Sequence, residues 1–235
     1  MSLLKTLETL FFPKSCVFCK TPHKYICDIC LDSIYFIYQP FCCVCQKPSL
    51  EGATHLNCKT YYKPQRLLVP FYYQGVVQSV VKKAKYYKKE FALIYELINY
   101  ALLYSEQFNF HLLTLDFVIV PIPSDKNRFK KRGFNLPSVI GIYLAKKLNL
   151  GYAEILQKDK ELEPLFGLTK HERKKAIKGA FNLKANVTQV PKKVLLVDDI
   201  LTTGATLNEA ALVLKRAGVK HVWCFALSYR SLYKN

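Results

Sequence analysis

Two adjacent carboxylates and a run of hydroxyls lie close together near the end of the chain. Asp198 and Asp199 follow four apolar residues, and after Leu201 come Thr202, Thr203, Gly204, Ala205 and Thr206. Hydroxyls and a glycine at the start of a helix offer donors and the positive end of the helix dipole to one phosphate. Carboxylates can accept hydrogen bonds from the vicinal hydroxyls of a sugar. The pattern indicates a site for a ribose 5-phosphate, with both carboxylates on an exposed loop tip; a mere helix-capping pair is the less favoured alternative.

A second group of residues, with metal-binding character, lies near the N-terminus. Eight of the nine cysteines fall between Cys16 and Cys58, which indicates a separate module. A two-residue gap between cysteines lets both thiolates of a pair point at one ion. The first two pairs have the spacing C-x2-C-x7-C-x2-C, so we expect one structural zinc ion bound by Cys16, Cys19, Cys27 and Cys30. Disulfides are the less favoured alternative because we expect a reducing compartment.

The other cysteines of this module leave a second metal site open. A third pair at positions 42 and 45 is followed by Cys58, and Tyr61 stands where a fourth ligand would be expected. His55 or Cys43 could complete the site, the second knuckle could be free of metal, or the first and third pairs could share one ion. A zinc ion with four sulfur ligands has no open coordination position, so we expect it to support folding rather than chemistry.

The elements that would position these residues follow from the hydrophobic pattern. Apolar runs predict buried strands at residues 116–123, 193–199 and 221–227. Helical spacing predicts helices at residues 76–87, 91–104, 136–148 and 207–214. An apolar segment interrupted by Pro70 predicts an edge strand or a connector. This alternation predicts an α/β fold with a parallel sheet flanked by helices, whose ligands bind beyond the carboxyl ends of the strands.

Composition limits the classes of protein that the chain can belong to. Of 235 residues, 51% are hydrophobic and 22% are charged, which favours one main domain, at residues 63–235, after an N-terminal zinc module at residues 1–62. Lys and Arg number 35 against 17 Asp and Glu, and a net charge of +18 favours polyanionic partners. The longest stretch without a charged residue has 15 residues, too few to span a bilayer, so we expect a cytoplasmic protein.

Basic residues cluster with aromatic ones in three segments, two of which flank the predicted phosphate site. A positively charged groove with rings for stacking is how proteins bind single-stranded nucleic acid. We therefore expect single-stranded DNA as a partner, at Lys126, Arg128, Phe129, Lys130, Lys131, Arg132, Phe134, Lys174 and Lys175. A solvated lysine-rich surface is the alternative. An apolar stripe is expected to pack on the zinc module, or less favourably to touch the inner membrane peripherally, through Leu3, Leu4, Leu7, Leu10, Phe11 and Phe12.

Over nearly its full length the chain resembles the ComF competence family, which belongs to the type I phosphoribosyltransferase superfamily. The resemblance rests on the cysteine pairs, on the 202–206 run with the acids before it, on residues 168–181, and on residues 120–135 with their Arg-Gly-Phe-Asn string. It implies a type I phosphoribosyltransferase fold with a small N-terminal zinc-ribbon-like module whose ion has four cysteine ligands.

The resemblance also implies roles for particular residues. Asp198 and Asp199 would hold the ribose hydroxyls of phosphoribosyl pyrophosphate, and the 202–206 run would wrap its 5-phosphate. The pyrophosphate loop would be Pro123, Ser124 and Asp125. Mg²⁺ would bridge pyrophosphate and ribose oxygens, as a hard cation prefers. The segment around Arg173 matches the loop that closes over the active site, so Arg173 joins the two aspartates as a candidate catalytic residue.

A role in natural transformation is what the resemblance favours. The protein would handle incoming single-stranded DNA and link it to recombination proteins, with a DNA translocase or helicase as a further partner. Two alternatives stay open. One is an active phosphoribosyltransferase of nucleotide salvage, although no segment that would bind an acceptor base is recognisable. The other is a non-catalytic scaffold that docks a DNA translocase.

Overall fold

The computed structural model describes residues 15–22, 24–86, 90–113, 116–159 and 170–231, with the backbone alone at Lys170, His171 and Arg173. The apolar stripe of the first twelve residues lies outside this part, as do positions 87–89 of the first basic segment. Among the helices that are described, none is long and apolar enough to cross a membrane.

A parallel sheet forms the centre of the fold. Its strands are β1 (Arg66–Leu68), β2 (Phe71–Tyr72), β3 (Phe117–Pro121), β4 (Gly151–Tyr152), β7 (Lys193–Leu201) and β8 (His221–Tyr229). Their spatial order is β1-β8-β7-β3-β4, with β2 continuing along β8, and every ladder is parallel. The two further strands, β5 (Leu156–Lys158) and β6 (Phe181–Leu183), form a separate antiparallel pair. The prediction of a parallel sheet flanked by helices is confirmed.

Four of the described helices lie close to the positions that periodicity predicts, and the others were not predicted from it. The described helices are α1 (Asp28–Asp32), α2 (Gly75–Tyr86), α3 (Phe91–Leu103), α4 (Lys126–Arg132), α5 (Leu136–Leu148), α6 (Lys170–Ile177) and α7 (Ala205–Arg216), with short 3-10 turns at Leu50–Gly52, Leu56–Cys58 and Phe110–Leu112. Pro137 lies in the first turn of α5, where its missing N–H removes no helical bond. The short helix α4, rich in lysine and arginine, has no apolar face and escapes a search for periodicity.

Two hydrophobic clusters cover the two faces of the sheet. Side chains of β7 alternate between them: Leu195 and Val197 join α2, α3 and α5, whereas Val194 and Leu196 join α7. The cysteine-rich module contributes to both clusters. Its first half packs through residues such as Ile26 with the α2 and α3 side, and its second half packs with the α7 side. The module therefore shares its hydrophobic core with the main domain at residues 63–235.

Candidate functional site

The sheet has a topological switch point between β3 and β7. The chain leaves β3, forms α4 and α5, and returns to β4 on one side of β3, whereas β7 lies on the other side. The loops that follow β3 and β7 therefore begin at neighbouring strand ends, where the Ile122 N–H donates to the Val197 carbonyl at 2.8 Å. Crevices at such switch points are where open α/β sheets bind ligands. The structure thus brings together the two loops that the sequence singles out, and we call the space beyond these two strand ends the crevice.

The adjacent carboxylates lie within a strand, so the expectation of an exposed loop tip is wrong. Strand β7 continues to Leu201 because β8 pairs with it to the end, with Asp198 opposite Ala226. The Asp199 side chain is only 13% exposed, and Ser228 donates its hydroxyl to the Asp199 carbonyl at 3.3 Å. Both carboxylates are therefore held on a rigid element at its carboxyl end, at the edge of the crevice.

A lysine from α2 faces the acidic pair. Lys85 forms an ion pair with Asp199, and its side chain is 15% exposed. Burial would raise the pKa of Asp199, but the Lys85 ammonium holds it below its usual value. Burial and the negative charge of Asp199 raise the pKa of Asp198 to about 8. At neutral pH the pair therefore carries about one negative charge, with a protonated Asp198 able to donate a hydrogen bond.

The residues from Thr202 to Thr206, which we call the phosphate loop, comprise the turn after β7 and the first two residues of α7. Gly204 precedes α7 with a φ of 73°, in the left-handed region, and it has no side chain that could cap the helix. Thr203 is buried, and its hydroxyl accepts from the Ala205 N–H at 3.3 Å. The helix N-terminus at the crevice therefore receives no cap from its N-cap residue, an arrangement that is suited to an anion.

The predicted pyrophosphate loop after β3 is tightly organised. Asp125 caps α4 by accepting from the Arg128 N–H at 2.9 Å, and it is ion-paired with Arg128 at 3.1 Å. Ser124 donates to the Asn135 side chain at 2.6 Å, and Asn135 in turn donates to the Ile122 carbonyl at 2.9 Å. Because these groups fix the backbone on both sides of the turn, the loop lies in a set position beside β7.

A nearly buried lysine from β5 completes the charge pattern beside this loop. Lys158 is 8% exposed, and its ammonium lies 3.6 Å from Asp125. Burial lowers the pKa of Lys158, although Asp125 and the more distant Asp198 oppose that effect. The crevice is therefore lined with cations from two sides, Lys85 over the acidic pair and Lys158 beside the pyrophosphate loop.

The candidate DNA-binding residues divide into exposed and packed groups. Exposed side chains are those of Lys126, Arg128, Phe129, Lys130, Lys131, Lys174 and Lys175. Phe129 has half of its surface free, which leaves its ring open to a stacking partner. Arg132 instead stacks on Tyr86 at 4.9 Å and donates to its hydroxyl at 3.0 Å. Phe134 packs edge-on against Phe91 at 4.9 Å and is partly exposed, and its role in DNA binding stays a prediction.

The expected active-site loop is partly described. Arg173 lies on α6, but its side chain lies outside the described part of the chain, as do residues 160–169. Strands β5 and β6 pair on either side of this region, and the Gly179 N–H donates to Glu209 on α7 at 2.8 Å. The described residues Lys158 and Gly179 therefore lie beside the pyrophosphate loop and α7, and the catalytic role of Arg173 stays a prediction.

The first metal site has the predicted ligands in reach of one another. The sulfur atoms that lie within 4.8 Å of one another are those of Cys16, Cys19, Cys27 and Cys30. Zinc–sulfur bonds of about 2.3 Å in a tetrahedron place sulfurs about 3.8 Å apart, which the cluster can accommodate with little movement. The Thr21 hydroxyl lowers the pKa of Cys19 to about 6, which favours the thiolate that a zinc ion requires.

A second cluster brings together the ligands of one alternative that the sequence leaves open, with His55 as the fourth. Its members are Cys42, Cys45, His55 and Cys58. The His55 Nε2 atom faces the Pro48 carbonyl at 2.9 Å and must donate to it, so Nδ1 carries the lone pair. Nδ1 lies 3.2 Å from the Cys45 sulfur, on the side of the cluster. Burial and the neighbouring Cys45 thiol raise the pKa of Cys58 to about 11, a crowding of thiols that a bound cation would relieve. Three sulfurs and one imidazole fit a structural zinc ion, and Cys43 points elsewhere, toward Cys224.

Several residues of the site escape sequence reasoning. Lys85 and Lys158 reach the crevice from elements distant in sequence, and nothing in their local pattern distinguishes them from solvated lysines. Tyr73 lies near the acidic pair, since burial and the charge of Asp199 raise its pKa. His55 is one of the alternatives that the sequence leaves open, and its spacing from Cys45 is the only signal for it.

Comparisons with known proteins agree with this arrangement. Residues 7–60 match a family model described as a double zinc ribbon domain, and residues 144–233 match one described as a phosphoribosyl transferase domain. The chain is 32% identical over 120 residues to competence protein F of Haemophilus influenzae, covering 50% of this chain and 52% of that protein. It is 37% identical over 111 residues to competence protein ComFC of Streptococcus pneumoniae, covering 47% of this chain and 46% of that protein. These two matches span about half the length of each relative. DNA utilization protein YhgH of Escherichia coli is 26% identical over 228 residues, covering 92% of this chain and 97% of that protein.

Proposed function

Because the chain is a ComFC-like protein of the phosphoribosyltransferase superfamily with an N-terminal zinc ribbon, we propose that it acts in competence by binding phosphoribosyl pyrophosphate and single-stranded DNA. A role in competence or DNA utilization is supported by the names of the relatives. The observation that carries the ligand proposal is the convergence of the acidic pair and the phosphate loop at one switch point of the sheet.

The geometry of the crevice supports a ribose phosphate with a second anionic group. The acidic pair offers acceptors for two sugar hydroxyls, and the start of α7 offers donors to the 5-phosphate a few residues away. Across the crevice, Ser124 and the N-terminus of α4 flank the place where a pyrophosphate would extend. Mg²⁺ would neutralise the pyrophosphate oxygens when it is bound with the ligand.

Calorimetric titration of the protein with phosphoribosyl pyrophosphate in the presence of Mg²⁺ tests this proposal. Replacing Asp198 and Asp199 together by Asn keeps the side-chain volume and removes the charge, and we expect ligand binding to fall at least tenfold. Asp116, which lies before the amino end of β3 and is ion-paired with Lys193 at 2.9 Å, serves as the control. Unchanged affinity in the double variant, or an equal loss in Asp116→Asn, would contradict the proposed site.

The DNA part of the proposal rests on charge and an exposed ring at the rim of the same crevice. Helix α4 carries exposed lysines on both sides of Phe129, directly after the pyrophosphate loop. Lys174 and Lys175 extend the positive surface on α6. Base stacking contributes about 1–3 kcal/mol per base in single strands and is not offered by a closed duplex. A strand could thus follow the cations while a base rests on Phe129.

Fluorescence anisotropy with single- and double-stranded oligonucleotides separates stacking from charge. Phe129→Ala should weaken single-strand binding about tenfold and duplex binding much less. The paired change Lys130→Ala and Lys131→Ala should weaken both. It should also flatten the log–log salt dependence on the single strand by about 0.7 for each phosphate that the protein no longer neutralises. Equal weakening on both DNAs for Phe129→Ala would reduce the surface to nonspecific electrostatics.

A further inference from the structure

The second zinc ribbon lies directly on the phosphate loop. Its knuckle, which we define as residues Phe41–Pro48, shares the hydrophobic cluster that contains Leu201, the last residue before the loop. The Gln46 side-chain amide donates to the Thr202 carbonyl, the first residue of the loop. These partners are far apart in sequence, so the contact forms only in the folded protein.

Two more contacts join the knuckle to the end of the loop and the start of α7. The Asn208 amide donates to the Cys43 carbonyl at 3.2 Å and to the Gly204 carbonyl at 2.8 Å, so one side chain bridges knuckle and loop. A Cβ atom built at Gly204 would lie 2.6 Å from the Cys43 carbonyl oxygen. The backbones therefore approach each other so closely at this point that only glycine fits.

The second ligand cluster fixes the atoms of the knuckle that make these contacts. Cys42 and Cys45 are members of that cluster, and Cys43 and Gln46 are their direct neighbours. Backbone hydrogen bonds close the turn, from the Gln46 N–H to the Cys42 carbonyl at 2.9 Å and from the Cys42 N–H to the Lys47 carbonyl at 3.0 Å. An ion held by the cluster would therefore hold the Cys43 carbonyl and the Gln46 side chain in place.

The first ribbon provides an internal comparison. Lys20 follows Cys19 as Gln46 follows Cys45, and both have a positive φ, of 70° and 63°. The Lys20 N–H donates to the Cys16 carbonyl at 3.0 Å, as the Gln46 N–H does to the Cys42 carbonyl, so the two turns have the same hydrogen bond. The Lys20 side chain, however, turns back to the Val17 carbonyl at 3.3 Å. The two knuckles are similar turns, and only in the second one does this side chain contact the phosphate loop.

We propose that Gln46 is a positioning residue for phosphate binding, and that the metal site on Cys42, Cys45, His55 and Cys58 and the phosphate loop are energetically coupled. The inference rests on the proposed function, since it assigns a role at the same ribose-phosphate site. The knuckle holds the loop in the shape that presents its backbone to the ligand. By thermodynamic reciprocity, ligand bound on the loop must then raise the affinity of the second ribbon for its metal.

Titration of the full-length, zinc-loaded protein with phosphoribosyl pyrophosphate and Mg²⁺ tests the positioning role. Gln46→Met keeps the length of the side chain and removes its donor, and we expect the dissociation constant to rise about 3- to 10-fold, as for one missing hydrogen bond. Lys20→Met is the matched control and should leave it unchanged. Zinc content and urea denaturation show whether each variant keeps its metal and its fold. Affinity within twofold of the wild type in Gln46→Met overturns the inference.

Zinc competition with the unaltered protein provides a second test. As a zinc chelator is added, the two sites should lose their ions in separate transitions, and the ligand should raise the zinc affinity of the second ribbon at least threefold and that of the first ribbon not at all. Cys27→Ser, which lacks a ligand of the first ribbon, shows which transition belongs to the second ribbon. Equal zinc affinity with and without bound ligand overturns the coupling alone. A wild-type protein that fails to bind phosphoribosyl pyrophosphate overturns the proposed function, and the coupling with it.

Discussion

Replacing Lys85 by Met should destabilise the protein far more than replacing its near neighbour Lys83. Lys85 is paired with Asp199 at sites where both side chains are about one-seventh exposed. Removing one partner of such a pair leaves a charge without its counterion and costs about 3 kcal/mol, the low end for a buried pair. For a chain of this size that loss corresponds to a fall in melting temperature of roughly 6 to 12 °C.

Lys83 provides the matched control on the same helix. Its ammonium lies 3.0 Å from Glu90, but the two side chains are 31% and 26% exposed. Solvent screens such a pair, so Lys83→Met should cost only about 0.2–1 kcal/mol. Both substitutions exchange a lysine for an apolar chain of similar length, so the difference between them reports the burial of the ion pair.

The pH dependence separates the effect of charge from the effect of packing. In the wild-type protein the pKa of Asp199 is lowered, so its ionised form stabilises the fold above the unfolded pKa and that contribution is lost as pH falls through the folded value. Without Lys85, burial raises the pKa of Asp199 and less remains to oppose it. In urea denaturation, the loss of unfolding free energy in Lys85→Met relative to the wild type should therefore become smaller as pH falls from 8 to 5. A loss that stays constant with pH, or that equals the loss in Lys83→Met, would refute the ion-pair reasoning.

Three further outcomes are expected from the same structure. Mass spectrometry of the purified protein should find about two zinc ions per chain, and Cys27→Ser and Cys58→Ser should each lose one; a single ion that survives Cys58→Ser would contradict the second cluster. Because the folded pKa of Asp198 is about 8, wild-type stability should fall as pH rises from about 4 to about 8, and Asp198→Asn should abolish most of that slope in urea denaturation. Phe134→Ala should cost about 2 kcal/mol of stability, which is less than for a fully buried Phe. The folded variant should bind single-stranded DNA with unchanged affinity. Equal weakening of DNA binding in Phe134→Ala and Phe129→Ala would contradict this expectation.

The central elements of the fold could be predicted because their signals are local. The apolar runs around Ile119, Leu195 and Phe225 are long enough to be strands and lie between helical periods, which predicts parallel crossovers. The end of β7 could not be predicted, because it depends on pairing of Leu201 with Tyr229 in another strand. The same pairing explains why the acidic pair lies in the sheet rather than on a loop tip.

The candidate site divides in the same way between local and non-local features. The acidic pair and the phosphate loop form one continuous run, so sequence alone identifies them. Lys85 and Gln46 could not be identified, since each reaches the site from an element more than a hundred residues away. Phe134 shows the same limit: its basic surroundings suggest a DNA contact, whereas its packing against Phe91 depends on a distant helix and could not be predicted from the local sequence.

A crystal structure of the zinc-loaded protein with phosphoribosyl pyrophosphate and Mg²⁺ tests the proposed ligand site most directly. We expect the 5-phosphate on the backbone of residues 202–206, the ribose hydroxyls on Asp198 and Asp199, and the pyrophosphate beside Ser124. We also expect Gln46 to keep its contact with Thr202 in the complex. Electron density for the ligand at any other surface, or a crevice that stays empty at saturating ligand, would contradict the proposed site.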